Sequence, residues 1–139
     1  MASQVADVMA TDVATVDPHA TLQEAARLMR DKDIGDVIVT DGSAPRGILT
    51  DRDIAIRGVA DSRDPAETEV SEVASTKLQT LSPSDDIDDA IALMRNAAVR
   101  RAPVLEDGAV VGVVSLGDLA RERDRESALG QISTAPANN

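Results

Sequence analysis

The sequence predicts an α/β fold in which two intertwined β-α-β-β-α repeats are related by a pseudo-twofold axis. The first observation is a gapless duplication, because residues 5–55 are echoed by residues 70–120. The second is that the hydrophobic periodicity changes in the same order in both copies: short helix, strand, helix, strand, strand, helix. A repeat much longer than a solenoid unit and present only twice favours two packed halves over an extended array.

The first repeat opens with a short strand over residues 13–16 that ends at Asp17-Pro18. Thr21 and Glu24 then match a capping box, in which a hydroxyl and a carboxylate satisfy free backbone N–H groups at a helix start. The apolar residues that follow have helical spacing and are expected to face the core: Leu22, Ala25, Ala26 and Met29.

A hairpin and a second helix complete the first repeat. Residues 37–40 have the pattern of a buried strand, Asp41-Gly42 that of a turn, and residues 47–50 that of the next strand. A helix over residues 51–57 is expected to end at Gly58.

The second repeat follows the same order. Asp86 is the expected N-cap of its first helix, whose core face is expected to carry Ile87, Ala90, Ile91 and Met94. Strands are expected at residues 78–81, 103–105 and 110–115. The hairpin turn is expected at residues 107–108 and the last helix at residues 116–125.

These elements divide the chain into four segments. The first repeat is predicted at residues 5–59 and the second at residues 70–126, with a polar linker over residues 60–69 between them. Residues 127–139 are small and polar and are expected to form a disordered tail. Each half is near the lower size limit for an independent core, so neither is expected to fold alone.

Composition restricts the possible functions. The 139 residues include no Phe, Tyr, Trp or Cys, so the core must be aliphatic and thiolate chemistry is excluded. The formal net charge of −11 argues against nucleic acid or an anionic membrane as a partner. The N-terminus lacks the features of a secretion signal and no segment is long enough to span a bilayer, so a cytoplasmic location is expected.

The strongest local signal is a shared phrase at residues 47–54 and 112–119. Each copy reads glycine, two apolar residues, a hydroxyl residue, two variable positions and an aspartate. A hydroxyl in the first helical turn can bond a phosphate oxygen beside free N–H groups. The aspartate three residues later lies on the same side and can accept both hydrogen bonds of a ribose diol.

A purely structural interpretation of the same phrase stays open. Thr50 and Ser115 also suit the N-cap position, and Asp53 and Asp118 suit the electrostatics of a helix N-terminus. Because capping would be inherited by duplication as readily as a binding site, the repeat alone does not decide between the two interpretations.

The chain resembles a tandem pair of CBS domains, the cystathionine β-synthase-type regulatory module also called a Bateman module. The resemblance rests on the paired phrases, on the strand ends at Asp17-Pro18 and Ser82-Pro83, and on residues 99–104. It implies two clefts between the repeats that bind an adenosine-type ligand, such as AMP, ADP, ATP or S-adenosylmethionine. It also implies a homodimer in the form of a flat disc.

In this family each cleft combines the hydroxyl and aspartate of one repeat with base-lining residues of the other. Carried over, one cleft would be lined by Thr50, Asp51, Arg52, Asp53, Gln79, Val99, Arg100 and Arg101. The other would be lined by Ser115, Leu116, Gly117, Asp118, Ala14, Ile34, Gly35 and Asp36.

The two clefts differ chemically, and the first is predicted to be preferred by an anionic ligand. Its arginines offer charge-assisted bonds to phosphate: Arg52, Arg100 and Arg101. The second has Gly117 in place of Arg52 and Asp36 in place of Arg101, and Ile38 stands where the other repeat has Pro103. The alternative for the arginine pair 100–101 is a solvated loop or bridges to surface carboxylates.

Other candidate residues have simpler explanations. His19 is the only histidine and follows Pro18 in a polar loop, so an exposed loop position is expected rather than a catalytic one. The carboxylates at residues 85–89 are expected to favour a helix N-terminus rather than to bind a metal. No catalytic residue and no metal site are predicted.

The predicted function is a non-catalytic sensor that binds an adenosyl ligand and regulates an unidentified partner protein in trans. One alternative is a structural or dimerisation module that binds no ligand. An enzyme such as a nucleotide hydrolase is disfavoured, because the predicted clefts contain no nucleophile–base pair and no histidine.

Overall fold

The structure is a computed structural model that describes the backbone of residues 4–134 and the side chains of residues 4–128. In the first repeat a 3-10 turn (Val5–Asp7) precedes β1 (Thr15–Val16), α1 (Leu22–Lys32), β2 (Asp36–Asp41), β3 (Ala44–Thr50) and α2, which covers Asp51–Asp53 and continues as a π-helical turn over Ile54–Val59. In the second repeat a 3-10 turn (Val70–Glu72) precedes α3 (Ile87–Ala97), β4 (Arg101–Glu106), β5 (Ala109–Ser115) and α4 (Leu116–Thr134). The predicted α/β class is confirmed.

The chain divides into two compact units that differ from the two sequence repeats. The first unit comprises Asp12–Leu78 and Asp107–Val111. The second comprises the described residues up to Thr11, then Gln79–Glu106, and the described residues from Gly112 onwards. The leading segment of each repeat therefore belongs to the unit built mainly from the other repeat, which is the sense in which the repeats are intertwined.

The first unit contains a three-stranded sheet in the order β1-β2-β3. β2 is parallel to β1 and antiparallel to β3, with a bulge between Val39 and Thr40. The apolar faces of this sheet and of α1 meet in a core that includes two valines of the leading segment of the second repeat. The core residues are Ala14, Leu22, Ala25, Met29, Val37, Val39, Leu49, Val70 and Val73.

The leading segment of the second repeat, residues 69–75, is held in the first unit by backbone hydrogen bonds. Val70 N–H donates to the Ala20 carbonyl at 2.7 Å, and Ser71 N–H donates to the Pro18 carbonyl at 3.1 Å. Because these bonds orient the segment, Val70 becomes fully buried.

The second unit repeats this arrangement with the leading segment of the first repeat. Val5 N–H donates to the Asp85 carbonyl and Ala6 N–H to the Pro83 carbonyl, both at 2.9 Å. Helix α3 packs against α4 in this unit. The buried apolar side chains include Val5, Leu81, Ile87, Ala90, Ile91, Met94, Ala102, Val104, Val114 and Leu119.

The predicted helix starts are confirmed. Glu24 N–H donates to Thr21 Oγ1 at 3.1 Å, and Thr21 N–H donates to Glu24 Oε2 at 3.2 Å, which completes the capping box. Asp86 caps α3, accepting from Asp88 N–H at 3.4 Å.

One prediction about the helix faces is wrong. Ala26 is exposed, because it lies at the edge of the stripe formed by Leu22, Ala25 and Met29, which are buried. Met29 and Met94 are both buried within their own units, as predicted for the core faces of the two helices.

The strand predicted at residues 78–81 is reduced to a single parallel bridge between Leu81 and Val104. In the first repeat, Ile38 N–H donates to the Ala14 carbonyl at 2.9 Å and extends the ladder of β1. Pro103 stands at the position of Ile38 and has no N–H, so the equivalent bond to the Gln79 carbonyl cannot form.

Two predicted helix ends also differ. Gly58 does not end the helix but lies buried inside the π-helical turn. A β-carbon there would stand 3.1 Å from Leu22 Cδ1, so only glycine permits this close approach without displacement. Helix α4 continues to Thr134 instead of ending near Arg125, so part of the predicted tail is helical; residues 135–139 lie outside the described residues. None of the described helices is both long enough and apolar enough to cross a membrane.

Candidate functional site

The phrase of the first repeat forms a closed turn at the junction of β3 and α2. Asp53 N–H donates to Thr50 Oγ1 at 3.0 Å, and Thr50 N–H donates to Asp53 Oδ2 at 3.0 Å. The two side chains predicted to bind phosphate and ribose are therefore brought together as a capping box. The hydroxyl accepts in this box and keeps its own proton to donate, and the carboxylate has a second oxygen that the box does not use.

The backbone donors of this turn already have partners. Asp51 N–H donates to the Gly35 carbonyl at 3.0 Å, and Arg52 N–H donates to Asp51 Oδ1 at 2.8 Å. The expectation of free N–H groups beside Thr50 is therefore wrong for this state. The remaining groups with which the turn can bind an anion are the hydroxyl proton and the exposed Arg52 side chain.

The loop before β2 lies beside this turn in the first unit. Asp36 and Thr50 are directly opposite each other in the antiparallel pairing of β2 and β3. Residues 34–36, which were predicted to line the other cleft, thus adjoin residues 50–53 within one unit. Ala14, assigned with them, is buried beside Ile38 on the neighbouring strand.

The phrase of the second repeat forms a similar turn with a different arrangement of charges. Asp118 N–H donates to Ser115 Oγ at 3.0 Å, so Ser115 is also an N-cap. The Asp118 carboxylate, however, is ion-paired with Arg121 one turn later on α4. Leu116 N–H donates to the Arg100 carbonyl at 2.7 Å, but Leu116 has no side-chain acceptor equivalent to that of Asp51.

The residues predicted to line each cleft are divided between the two units. The first unit holds Thr50, Asp51, Arg52 and Asp53, and the second unit holds Gln79, Val99, Arg100 and Arg101. Arg100 is exposed, whereas Gln79, Val99 and Arg101 are half-buried. Within the second unit, residues 99–101 adjoin the Ser115 turn, as residues 34–36 adjoin the Thr50 turn in the first.

This duplicated turn, with exchanged leading segments, agrees with the family comparison. The family model described as CBS domain matches residues 5–58 and 70–125. The chain belongs to the CBS-domain family. It is a CBS pair.

Relatives of the CBS pair extend over nearly its whole length. The CBS domain-containing protein YhcV of Bacillus subtilis is 46% identical over 95% of this chain and 94% of its own length. Hypoxic response protein 1 of Mycobacterium tuberculosis is 37% identical over 83% of this chain and 81% of its own. A crystal structure of Hypoxic Response Protein I with two coordinated zinc ions has a TM-score of 0.73 at 35% identity, covering 86% of this chain and 98% of that one.

A third comparison concerns the fold alone. The CBS domain pair of protein MJ0100, solved in complex with 5′-methylthioadenosine and S-adenosyl-L-methionine, is 22% identical to this chain. It has a TM-score of 0.78 and covers 89% of this chain and 98% of its own. The CBS pair described here therefore shares its fold with a protein that holds two adenosyl compounds.

The single histidine of the CBS pair lies in the first unit, away from the phrase residues in sequence. His19 Nδ1 is 3.0 Å from Glu69 Oε1, and both side chains are exposed to solvent. The hydrogen bond to Glu69 raises the pKa of His19 above its ordinary value of 6.5, and the negative charges of Glu69 and Asp17 act in the same direction. The described part of the chain contains no group of three or more His, Asp or Glu side chains placed to hold a metal ion.

One residue of the CBS pair with a specific contact was missed by sequence reasoning. Arg57 Nη1 donates to the Val73 carbonyl at 2.9 Å and so joins α2 to the leading segment of the second repeat. The available signal was a difference between the repeats, because the corresponding position in the second repeat is Glu122.

Proposed function

We propose that this CBS pair is a non-catalytic sensor that binds an adenosine-type ligand and regulates a partner protein in trans. The observation that carries the proposal is the Thr50–Asp53 turn, where the Thr50 hydroxyl accepts from Asp53 N–H and the Asp53 carboxylate accepts from Thr50 N–H, each at 3.0 Å. A ribose diol needs an acceptor, and a phosphate oxygen needs a donor. The turn offers both within one helical turn.

The preferred cleft is the one that contains Thr50 and Asp53 together with Gln79 and Val99. Its three arginines can bond phosphate oxygens with charge-assisted hydrogen bonds: Arg52, Arg100 and Arg101. Because the chain carries a formal net charge of −11, an anionic ligand is repelled elsewhere and needs such a local cluster.

A backbone feature supports the same choice of cleft. In the first repeat Ile38 N–H donates to the Ala14 carbonyl. Pro103 has no N–H, so it cannot donate the corresponding hydrogen bond to the Gln79 carbonyl. A carbonyl at the lining of a cleft can accept from the exocyclic amine of adenine. The carbonyl of Ala14, the corresponding residue of the second cleft, is already bonded.

The ligand class is supported by the fold. The MJ0100 pair accommodates 5′-methylthioadenosine and S-adenosyl-L-methionine on the same architecture. For the present chain the candidates are AMP, ADP, ATP and S-adenosylmethionine, and the arginines favour those with phosphates.

The proposed sensor is a homodimer. Two large apolar side chains of the π-helical turn are exposed, Ile56 by 46% and Val59 by 65%, and Leu93 on α3 is exposed by 38%. Covering apolar side chains of this size is a common reason for self-association. Sedimentation equilibrium at micromolar concentration should give the mass of a dimer, and Ile56→Asp should lower it.

Calorimetric titration with AMP, ATP and S-adenosylmethionine tests the ligand proposal. A saturable heat with at least one of them is expected. The chain has no aromatic residue, so the adenine absorbance band of the purified protein reports any ligand that co-purifies after nucleic acid is removed. The absence of both signals would contradict the sensor proposal.

A second function, a dimerisation module without ligand, is favoured by one observation. Thr50 and Ser115 are both engaged as N-caps, as expected if the phrases serve only helix starts. A chain that dimerises but gives no heat with any adenosyl compound would support this function instead.

A further inference from the structure

The helix that begins at the Thr50–Asp53 turn changes its hydrogen-bonding pattern after one turn. Ala60 N–H donates to the Ala55 carbonyl at 3.0 Å, five residues earlier, and Ile54–Val59 form a π-helical turn. The corresponding residues of the second repeat lie within α4, an α-helix. π-helical turns are rare and occur frequently at functional sites.

The π-helical turn is fixed at two points. Arg57 Nη1 donates to the Val73 carbonyl at 2.9 Å, and Val73 is buried in the core of the first unit. Gly58 packs so closely on α1 that a β-carbon would stand 3.1 Å from Leu22 Cδ1.

Neither fixing point exists in the second repeat. Glu122 replaces Arg57, and its carboxylate lies 3.6 Å from the Arg125 guanidinium on the same helix. Arg123 replaces Gly58, and its guanidinium lies 3.9 Å from Asp88 Oδ1. The connection between helix and leading segment is thus specific to the repeat whose phrase is proposed to bind the ligand.

The helical register of α2 determines whether Arg57 reaches Val73 from the helix that begins at the Thr50–Asp53 turn. A change from π- to α-helical register shifts the later residues by one position, which is a rotation of about 100° around the axis. Such a rotation would carry the Arg57 side chain away from the Val73 carbonyl. The contact with Val73 therefore selects the register that extends from the capping box of Thr50 and Asp53.

We propose that Arg57 is a positioning residue that couples the ligand turn at residues 50–53 to the leading segment at residues 69–75. The inference rests on the proposed function for its ligand. Arg57 donates to the Val73 carbonyl and holds α2 in one register. The turn at residues 50–53 is therefore already ordered and loses less conformational entropy when the ligand binds. By reciprocity, a ligand at residues 50–53 strengthens the contact between Arg57 and Val73.

The contact itself is tested without ligand, by hydrogen exchange of the Ala74 and Ser75 amides. Ala74 N–H donates to the Val70 carbonyl at 2.8 Å and Ser75 N–H to the Ile48 carbonyl at 2.9 Å, so both report the docking of this segment. Arg57→Gln should speed their exchange about fivefold. Arg57→Lys retains a charged donor and should restore part of the protection.

A matched control is available at the corresponding position. Glu122→Gln should leave the Ala74 and Ser75 amides unchanged, because the Glu122 carboxylate is paired with Arg125 on its own helix. Unchanged exchange in Arg57→Gln would overturn the proposal. If Arg57→Gln also speeds exchange throughout β2, this variant is generally destabilised, and the comparison with Arg57→Lys decides. Equal exchange of the Ala74 and Ser75 amides in Arg57→Gln and Arg57→Lys would then overturn the proposal.

The coupling is tested with adenosine and ATP by calorimetry. Arg57→Gln should weaken both ligands by the same factor, about fivefold, and should abolish the slowing of Ser75 exchange that either ligand produces in the parent. A loss that is confined to ATP would identify Arg57 as a phosphate contact and overturn its positioning role.

The failure of the coupling can be distinguished from the failure of the proposed function. If the parent chain binds no adenosyl compound, the proposed function fails and the coupling fails with it. If the parent binds ligand but Ser75 exchange does not change, the coupling alone is overturned.

Discussion

Gly47 and Ser75 approach so closely that a β-carbon on Gly47 would stand 2.8 Å from the Ser75 carbonyl oxygen. The neighbouring Ile48 exchanges two backbone hydrogen bonds with Ser75, at 2.9 and 3.0 Å. At Gly112 an added β-carbon would stand 2.5 Å from Met9 Sδ and 3.1 Å from the Ala10 carbonyl oxygen, so the leading segment of the first repeat also approaches closely. The glycine that opens each phrase is therefore required for docking of the exchanged segment, independently of any ligand.

We predict that Gly47→Ala destabilises the protein by about 2–3 kcal/mol, because the added methyl group meets a backbone atom that cannot move aside without breaking the bridge. The control is Gly42→Ala, where the space is open but φ is +65°, and about 1 kcal/mol is expected. Urea unfolding monitored by circular dichroism measures both variants. Equal losses would show that the close approach to Ser75 has no special cost.

We predict that Asp53→Ala weakens binding of AMP or ATP about tenfold to a hundredfold, equivalent to about 1–3 kcal/mol, and that Asp118→Ala has a much smaller effect. Asp53 serves the arginine-rich cleft, whereas the Asp118 carboxylate is already paired with Arg121. Calorimetry at a temperature where all variants are folded measures the difference.

Asp53 also closes a capping box, so stability and affinity must be separated. Asp53→Asn keeps a side-chain acceptor for Thr50 N–H but loses the charge that strengthens two bonds to a diol. It should therefore lose affinity while it retains most of the stability. An Asp53→Asn variant with the affinity of the parent would assign Asp53 to capping alone.

We predict that Pro103→Val lowers ligand affinity about twofold to tenfold, because the restored N–H can take the Gln79 carbonyl that adenine is proposed to use. The same change should extend the parallel pairing of residues 79–81 with β4, which hydrogen exchange of the residue 103 amide would reveal. A protected amide with unchanged affinity would remove the Gln79 carbonyl from the site.

We predict that the pH dependence of the first unit includes a contribution from His19. The pKa of His19 is raised by Glu69, so the pair stabilises the docked segment fully below pH 6.5 and this contribution is lost as pH rises through the raised pKa. Nuclear magnetic resonance titration of the imidazole should show a lower pKa in Glu69→Gln and a smaller decrease in Asp17→Asn. The same pKa in the Glu69→Gln variant and the parent would contradict the ion pair.

The local signals in the sequence were sufficient for most of the secondary structure and for the family. Duplication, strand periodicity and the capping box at Thr21 and Glu24 depend on residues close in the chain, and the structure confirms them. The sequence also shows that Pro103 stands at the position of Ile38. Its effect on the Gln79 carbonyl could be inferred only from the register of β4 in the structure.

The features that the sequence missed depend on residues far apart in the chain. Gly58 was predicted to end a helix, and only its packing on Leu22 shows why a glycine lies inside one. The exchange of leading segments and the bond from Arg57 to Val73 likewise depend on how backbone groups meet after folding. The sequence by itself determined the repeats, their elements and the residues that could bind a nucleoside. Tertiary structure alone decided which of these polar groups are already bonded, because hydrogen-bond partners are distributed by spatial proximity and not by chain order.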